Sequence, residues 1–185
     1  MAVPMTRHLL SVEEYQRAAE AGVFGEDNRL ELIRGEIIEM TPIGDRHALC
    51  VTLLNDLLAD LRPRGIVSPQ NPLRLPGQQS VPQPDVVLLR RRPDFRLRPP
   101  HPEDVFLLVE VSETSLAYDR DVKIPLYAES GIPEAWLVDL NANTIFVFRR
   151  PSARGFQEVR EYRREDSISP SAFPGVHLAV NDFLP

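Results

Sequence analysis

The sequence predicts an α/β fold built on a mixed sheet, and three observations carry that prediction. Val105–Val111 is a nearly unbroken apolar run holding one charge, Glu110, the pattern of a central strand buried on both faces. Between about Gly44 and Leu61, the residues Leu49, Leu53, Leu54, Leu57, Leu58 and Leu61 recur at three- and four-residue spacing, which marks a long amphipathic helix. A second helical stretch, Asp119–Ser130, leads directly into another strand-like run, Ala135–Leu140 (AWLVDL). No internal repeat or linker interrupts the pattern, so the 185 residues read as one domain, 1–185.

The remaining elements follow from local chemistry. Ser11-Val12-Glu13-Glu14 is a capping box, with Ser11 as the cap and Glu14 reaching back, and the helix it opens runs to about Ala21 before Gly22 ends it. Arg29–Ile33 and Glu36–Met40 alternate in polarity about Arg34-Gly35 and predict a tight hairpin. Pro63 and Gly65 stop the long helix. Extended segments are expected at Gly65–Ser68, Asn71–Leu75 and Pro84–Leu89. The stretch RRRPDFRLRPPHPED is an exposed loop by composition. In the Asp119–Ser130 helix, Pro125 marks either a kink or the true first turn, and Gly131 ends it. Asn141-Ala142-Asn143 turns the chain into strand Thr144–Arg149, and Phe156–Tyr162 alternates as an outer strand. The last 20 or so residues are turn-rich and suggest no regular element.

Composition narrows the function classes. Hydrophobic content of 43% and charged content of 26% are those of a globular chain, and no apolar run is long enough to span a bilayer. The N-terminal MAVPMTRHLLSVEEY lacks the apolar core of a secretion signal, so the expected location is cytoplasmic, with no membrane partner. A single cysteine, Cys50, rules out an internal disulfide and any cysteine-based zinc cluster, and its helical apolar context reads as core. The net charge of −6 argues against a constitutively sticky nucleic-acid binder but leaves room for a local basic patch and a bound cation. The 18 prolines and the arginine preference fit a rigid, heat-tolerant protein or a GC-rich genome.

One lysine, Lys123, stands among 20 arginines. Its compact ammonium suits a crowded carboxylate site that a planar guanidinium does not fit. Asp85 opens the run Val86-Val87-Leu88-Leu89, Glu110 sits inside Leu107-Leu108-Val109-Glu110-Val111, and Glu31 is embedded in Leu30-Glu31-Leu32-Ile33, where hairpin alternation leaves an exposed face open to it. Charges within apolar strands are costly unless paired or bound to metal. If the Asp85 and Glu110 strands are antiparallel neighbours, the two carboxylates converge. With the backbone carbonyl of Val111 they then offer a hard-oxygen site for Mg²⁺ or Mn²⁺. The plain alternative is that Asp85 caps a turn and Glu110 pairs with an arginine.

The ordered strings QPDVVLL, LLVEVSETS and DRDVKIPLYAESGIPEAWLVD resemble the PD-(D/E)XK nuclease superfamily, and within it the putative restriction endonuclease family. The resemblance extends from LELIRGEIIEMTP and His47 to the AWLVD strand. It implies a restriction-endonuclease-like core, a mixed central sheet flanked by helices, with the N-terminal helix and hairpin added to it. It also implies metal-dependent hydrolysis of phosphodiester bonds, with DNA as the preferred substrate. By position, Asp85 and Glu110 are expected to bind the metal, and Lys123 to orient water and stabilise charge. Glu31 corresponds to an accessory acidic residue. The superfamily's usual lysine lies two residues after the strand glutamate, where this chain has Ser112; the family resembled supplies a lysine from the following helix, as Lys123 would.

Secondary candidates remain. His47, at the start of the long helix, would contact phosphate or sit beside the carboxylates, or it is a polar helix start. Arg90, Arg91 and Arg92, with Arg96 and Arg98, would neutralise DNA phosphates beside the site, or they form a solvated loop. Tyr127 and Trp136 read as core or interface groups. The strands around Thr144–Arg149 and Phe156–Tyr162 are candidates for a homodimer or higher homo-oligomer surface. The alternatives to a nuclease are a catalytically inactive nucleic-acid-binding or oligomeric scaffold, and a hydrolase of some other phosphoester.

Overall fold

The computed structural model describes residues 6–25 and 28–185. Residues 1–5, the start of the segment read as lacking a secretion signal, lie outside it. The order of elements is helix α1 (Val12–Glu20), hairpin strands β1 (Leu30–Ile33) and β2 (Glu36–Glu39), helix α2 (Asp45–Leu57), strands β3 (Gly65–Pro69), β4 (Val86–Arg90) and β5 (Val105–Ser112), helix α3 (Leu116–Tyr118), a π-helical turn (Asp119–Lys123), helix α4 (Ile124–Glu129), then strands β6 (Glu134–Asp139), β7 (Thr144–Ser152), β8 (Gly155–Arg163), β9 (Ser167–Ile168) and β10 (Leu178–Ala179). Among the described residues no helix is long and apolar enough to cross a membrane.

Six strands form one mixed sheet in the order β3-β4-β5-β6-β7-β8. β5 and β6 run parallel, and every other neighbouring pair is antiparallel. A parallel pair needs a crossover, and the segment from α3 through α4 supplies it. Alternation sorts the central side chains to two faces. Val86, Leu88, Leu107 and Val109 pack with Cys50, Val51, Leu54 and Leu58 from α2 and the 3₁₀ turn that extends it. Val87, Leu89 and Leu108 pack on the other face with Ile124, Leu126 and Tyr127. Each fully buried leucine here contributes about 1.5–3 kcal/mol relative to an exposed one. A register shift between Leu88 and Leu89 sends both Phe106 and Leu107 to the α2 face. Burial pushes the Cys50 thiol up to about 12, in keeping with a core cysteine.

Local chemistry explains the flanking pieces. The Ser11–Glu14 capping box closes in both directions. Arg34 and Gly35 both take positive φ, 51° and 82°, the two-residue turn that matches strand twist. A Cβ at Gly35 would lie 2.6 Å from Leu9 Cβ, so that position takes glycine for space as well as for φ. Both faces of β1 are covered: Leu32 joins Val12 and Val81, while Glu31 turns toward the central sheet.

Two expectations change. Asn71–Leu75 does not join the sheet and forms only an isolated bridge, Leu75 to Ser80. The C-terminal segment, read as lacking regular elements, contributes the small β9–β10 pair, and its Phe173, Phe183 and Leu184 complete the apolar layer on the α2 face.

Candidate active site

The antiparallel register of β4 and β5 pairs Val86 with Val109, so Asp85 at the start of one strand adjoins Glu110 near the end of the other. The convergence expected from the spacing is present. Asp85 is held at one oxygen: its Oδ2 accepts the Val111 N–H at 2.8 Å and lies 3.1 Å from His47 Nε2 on α2. Glu110 Oε1 accepts from the Tyr127 hydroxyl and lies 2.8 Å from Lys123 Nζ. Lys123 reaches on to Glu31 Oε1 at 3.1 Å, an oxygen that also accepts the Gln83 N–H at 2.6 Å. Asp119 Oδ2 accepts from Ser112 Oγ at 2.6 Å and Ser115 Oγ at 2.5 Å.

The π turn is the local device that presents this chemistry. Pro125 has no N–H and its ring crowds the carbonyl four residues back. The chain widens ahead of it, and Ile124 N–H donates to the Asp119 carbonyl five residues earlier. Asp119 and Lys123 both lie on this turn and both are buried. Pro125 itself sits in the first turn of α4, so the two readings of that proline combine in one structure.

These acids, Lys123 and His47 line a cleft of about 450 Å³. Glu31, Asp85, Glu110, Asp119 and Lys123 are each no more than 7% exposed. Burial pushes the Glu110 carboxyl well above the ordinary glutamate range; the Lys123 charge opposes this, and Asp119, Asp85 and Glu31 reinforce it. Burial alone would lower Lys123, but Glu110, Glu31 and Asp119 outweigh it and hold the ammonium charged. Burial likewise favours a neutral His47 ring, and the hydrogen bond and charge of Asp85 outweigh it, so His47 is raised. Burial is also the main reason Tyr118, in the cleft wall, is pushed up to about 12.

A hard divalent cation fits this donor set. Each of the four carboxylates is tied at one oxygen and leaves the other, Glu31 Oε2, Asp85 Oδ1, Glu110 Oε2 and Asp119 Oδ1, without a hydrogen-bond partner among the described residues. None of those four is a buried orphan, whereas His47 Nδ1 and Tyr118 Oη are, so the free oxygens keep contact with the cleft. Four carboxylates also outnumber Lys123 and His47. Among the described residues no three His, Cys, Asp or Glu side chains converge as a ready-made metal cage. Magnesium needs none, since it is commonly held by one or two carboxylates, with waters and substrate phosphate completing its shell.

With this geometry in place, the comparisons with known proteins acquire meaning. The model of the Uma2 family, described as putative restriction endonuclease, matches residues 12–181. The chain belongs to that family. No curated protein matches this Uma2 chain. Among solved structures it is similar to the crystal structure of a putative nuclease belonging to DUF820 from Anabaena variabilis ATCC 29413. The TM-score is 0.68 and the identity 19%, covering 95% of this chain and 97% of that one. That likeness establishes the fold: a restriction-endonuclease-like mixed sheet flanked by helices.

The structure gathers Glu31, Asp85, Glu110, Lys123 and His47 at the cleft of the Uma2 chain, and Val111 lines it. Glu31 faces inward, not to the open face that hairpin alternation offered it, because α1 occupies the other side of β1. Arg90, Arg91 and Arg92 are not beside the site. β4 carries them to its opposite end, about 17 Å from Asp85 at strand rise. There Arg90 stacks on Phe106, Arg91 donates to the Arg62 and Gly65 carbonyls, and Arg92 pairs with Asp94 and Asp104. The sequence reading missed Tyr127 and Asp119. Tyr127 carries no signal beyond an apolar helix face; Asp119 could have been found from the Ser112–Ser115–Asp119 spacing in the segment after β5.

Proposed function

We propose that this Uma2 protein is a divalent-cation-dependent endonuclease that hydrolyses phosphodiester bonds in DNA. The observation that carries the reading is the pair of free oxygens, Asp85 Oδ1 and Glu110 Oε2, at the adjoining ends of β4 and β5, with Lys123 on Glu110. A Mg²⁺ or Mn²⁺ ion held there by Asp85 and Glu110, with the Val111 carbonyl, supplies Lewis-acid polarisation of the phosphate and lowers the pKa of water.

The protein's own groups do the rest. Val111 N–H and His47 hold the Asp85 carboxylate, and the Tyr127 hydroxyl holds that of Glu110. Lys123, kept charged between Glu110 and Glu31, orients the attacking water and stabilises the negative charge that develops on the phosphoryl oxygens. Glu31, fixed by the Gln83 N–H, keeps the ammonium from swinging away from the cleft. The water oxygen joins phosphorus as the bridging P–O bond breaks, and the departing ester oxygen leaves as an alcohol.

Calorimetry with Mn²⁺ and a plasmid-nicking assay test this. Wild-type protein is expected to bind the ion and nick the plasmid, and Asp85→Asn and Lys123→Ala are each expected to abolish cleavage. Lys123→Ala strands two buried carboxylates, which costs about 3–5 kcal/mol unless they take up protons, so circular dichroism must accompany it. Full cleavage by a folded Lys123→Ala protein would remove the role assigned to the lysine.

A further inference from the structure

The carboxylates lie behind a narrow mouth. One wall is the segment 40–44, between β2 and α2. Met40 N–H anchors it to the Arg29 carbonyl at 2.9 Å, and the Gly44 carbonyl accepts the Ala48 N–H at 3.0 Å. The facing wall is the turn after β5 at Glu113, held down by Asn141 Nδ2, which donates to the Glu113 carbonyl at 2.6 Å. The walls meet across the cleft. Arg46 pairs with Glu113 at 3.6 Å, and a Cβ at Gly44 would lie only 2.7 Å from Glu113 Oε2. Arg46 also donates to the Leu140 carbonyl at 2.8 Å, tying the start of α2 to the end of β6. Ile38, Pro42 and Ile43 give the first wall an apolar lining.

Size and charge then decide which form of the polymer enters. A compact space of 450 Å³ is roughly 10 Å across, narrower than the major groove of B-form DNA at about 12 Å. It falls within the range, roughly 300–1,000 Å³, of sites that enclose one small molecule. A base-paired strand cannot bring its phosphodiester to Asp85 and Glu110 without pressing its partner strand into Glu113 and the 40–44 wall. An unpaired strand bends and threads, laying a neighbouring base along Ile38, Pro42 and Ile43. The lining acids Glu39 and Glu113, against Arg29, offer no broad cationic face for two rows of phosphates.

Resting on the nuclease reading above, we infer that the substrate of this site is single-stranded DNA, as a free strand, a flap or a frayed end, and not continuous duplex. The duplex is cut where it opens, because the cost of unpairing is least there.

Binding and cleavage together test this separately from the nuclease reading. The shape-conserving Asp85→Asn protein, titrated in Mg²⁺ with a fluorescein-labelled oligonucleotide, is expected to bind the single strand about tenfold or more tighter than the blunt duplex of the same sequence. Equal or tighter duplex binding, or no binding of either, overturns the inference. Wild-type protein with Mn²⁺ is expected to cut the single strand and a flap, to nick negatively supercoiled plasmid, and to spare relaxed linear duplex. Equal cutting of relaxed duplex keeps the nuclease and overturns the strand preference; no cutting of any DNA by protein that binds Mn²⁺ overturns the nuclease reading itself. Glu113→Ala, which unties Arg46 across the mouth, is expected to narrow the preference for single strand, and an unchanged ratio counts against the steric cause.

Discussion

Tyr127 is fully buried, and its hydroxyl donates to the Glu110 carboxylate. Burial raises the phenol well above the ordinary tyrosine range and the Glu110 charge adds to it, so the proton stays on Tyr127 and the hydroxyl acts as a fixed donor. Tyr127→Phe deletes one oxygen and keeps the ring in the α4 face of the core. The lost hydrogen bond to a buried charge should cost about 1.5–3 kcal/mol, seen as a Tm lower by several degrees. Glu110 would also lose an orienting partner, and outer partners of this kind are worth roughly 10- to 100-fold in metal affinity. Calorimetry should therefore show weaker Mg²⁺ binding; unchanged affinity would reduce Tyr127 to packing. Asp85, Glu110 and Lys123 were legible in the sequence because a charge in an apolar run, or a lone residue type, is anomalous against its surroundings. Tyr127 was not, since an aromatic at an apolar helical position is what a core helix shows anyway. Glu31 was half legible: its embedding was visible, but its burial depends on α1 covering the other side of β1, a contact between elements distant in sequence.

At the scale of elements, the π turn Asp119–Lys123 sets the direction of the lysine. Its cause is local, the missing N–H and the bulk of Pro125, so its removal is a defined experiment. Pro125→Ala permits regular α-helical bonding through the segment and would turn Lys123 and Asp119 out of their present register. The expected result is helix content equal or slightly higher by circular dichroism, with cleavage reduced about tenfold or more. Unchanged cleavage would show that the turn is incidental to the site. Sequence periodicity located a helix here but could not show its widened geometry. It also placed a strand at Asn71–Leu75, where extended residues bridge only to Ser80 and the sheet edge is taken by β3. The Arg90–Arg92 cluster is adjacent to Asp85 in the chain yet lies at the far end of β4. A strand carries its two ends apart at about 3.3 Å per residue, so nearness in sequence there means distance in space.

For the whole molecule, α/β class, central β5 and the flanking helices were readable because hydrophobic period reports burial directly. Strand order was less so, and the one parallel pair, β5–β6, organises everything that matters at the site. Its crossover must leave the end of β5, pack on one face of the sheet and return, and on the way it delivers Ser115, Asp119, Lys123 and Tyr127 to the same end. Because Lys123 is the chain's one lysine and is 3% exposed as well as charged, the protein holds a built-in chemical clock. Amine-reactive reagents have two classes of target, the terminal amine and this side chain, which a single proteolytic digest separates. Lysine modification should be slow in the native protein and should accelerate in urea in step with loss of the fold. Any acceleration well before global unfolding would time the independent opening of the crossover, with no probe added to the chain.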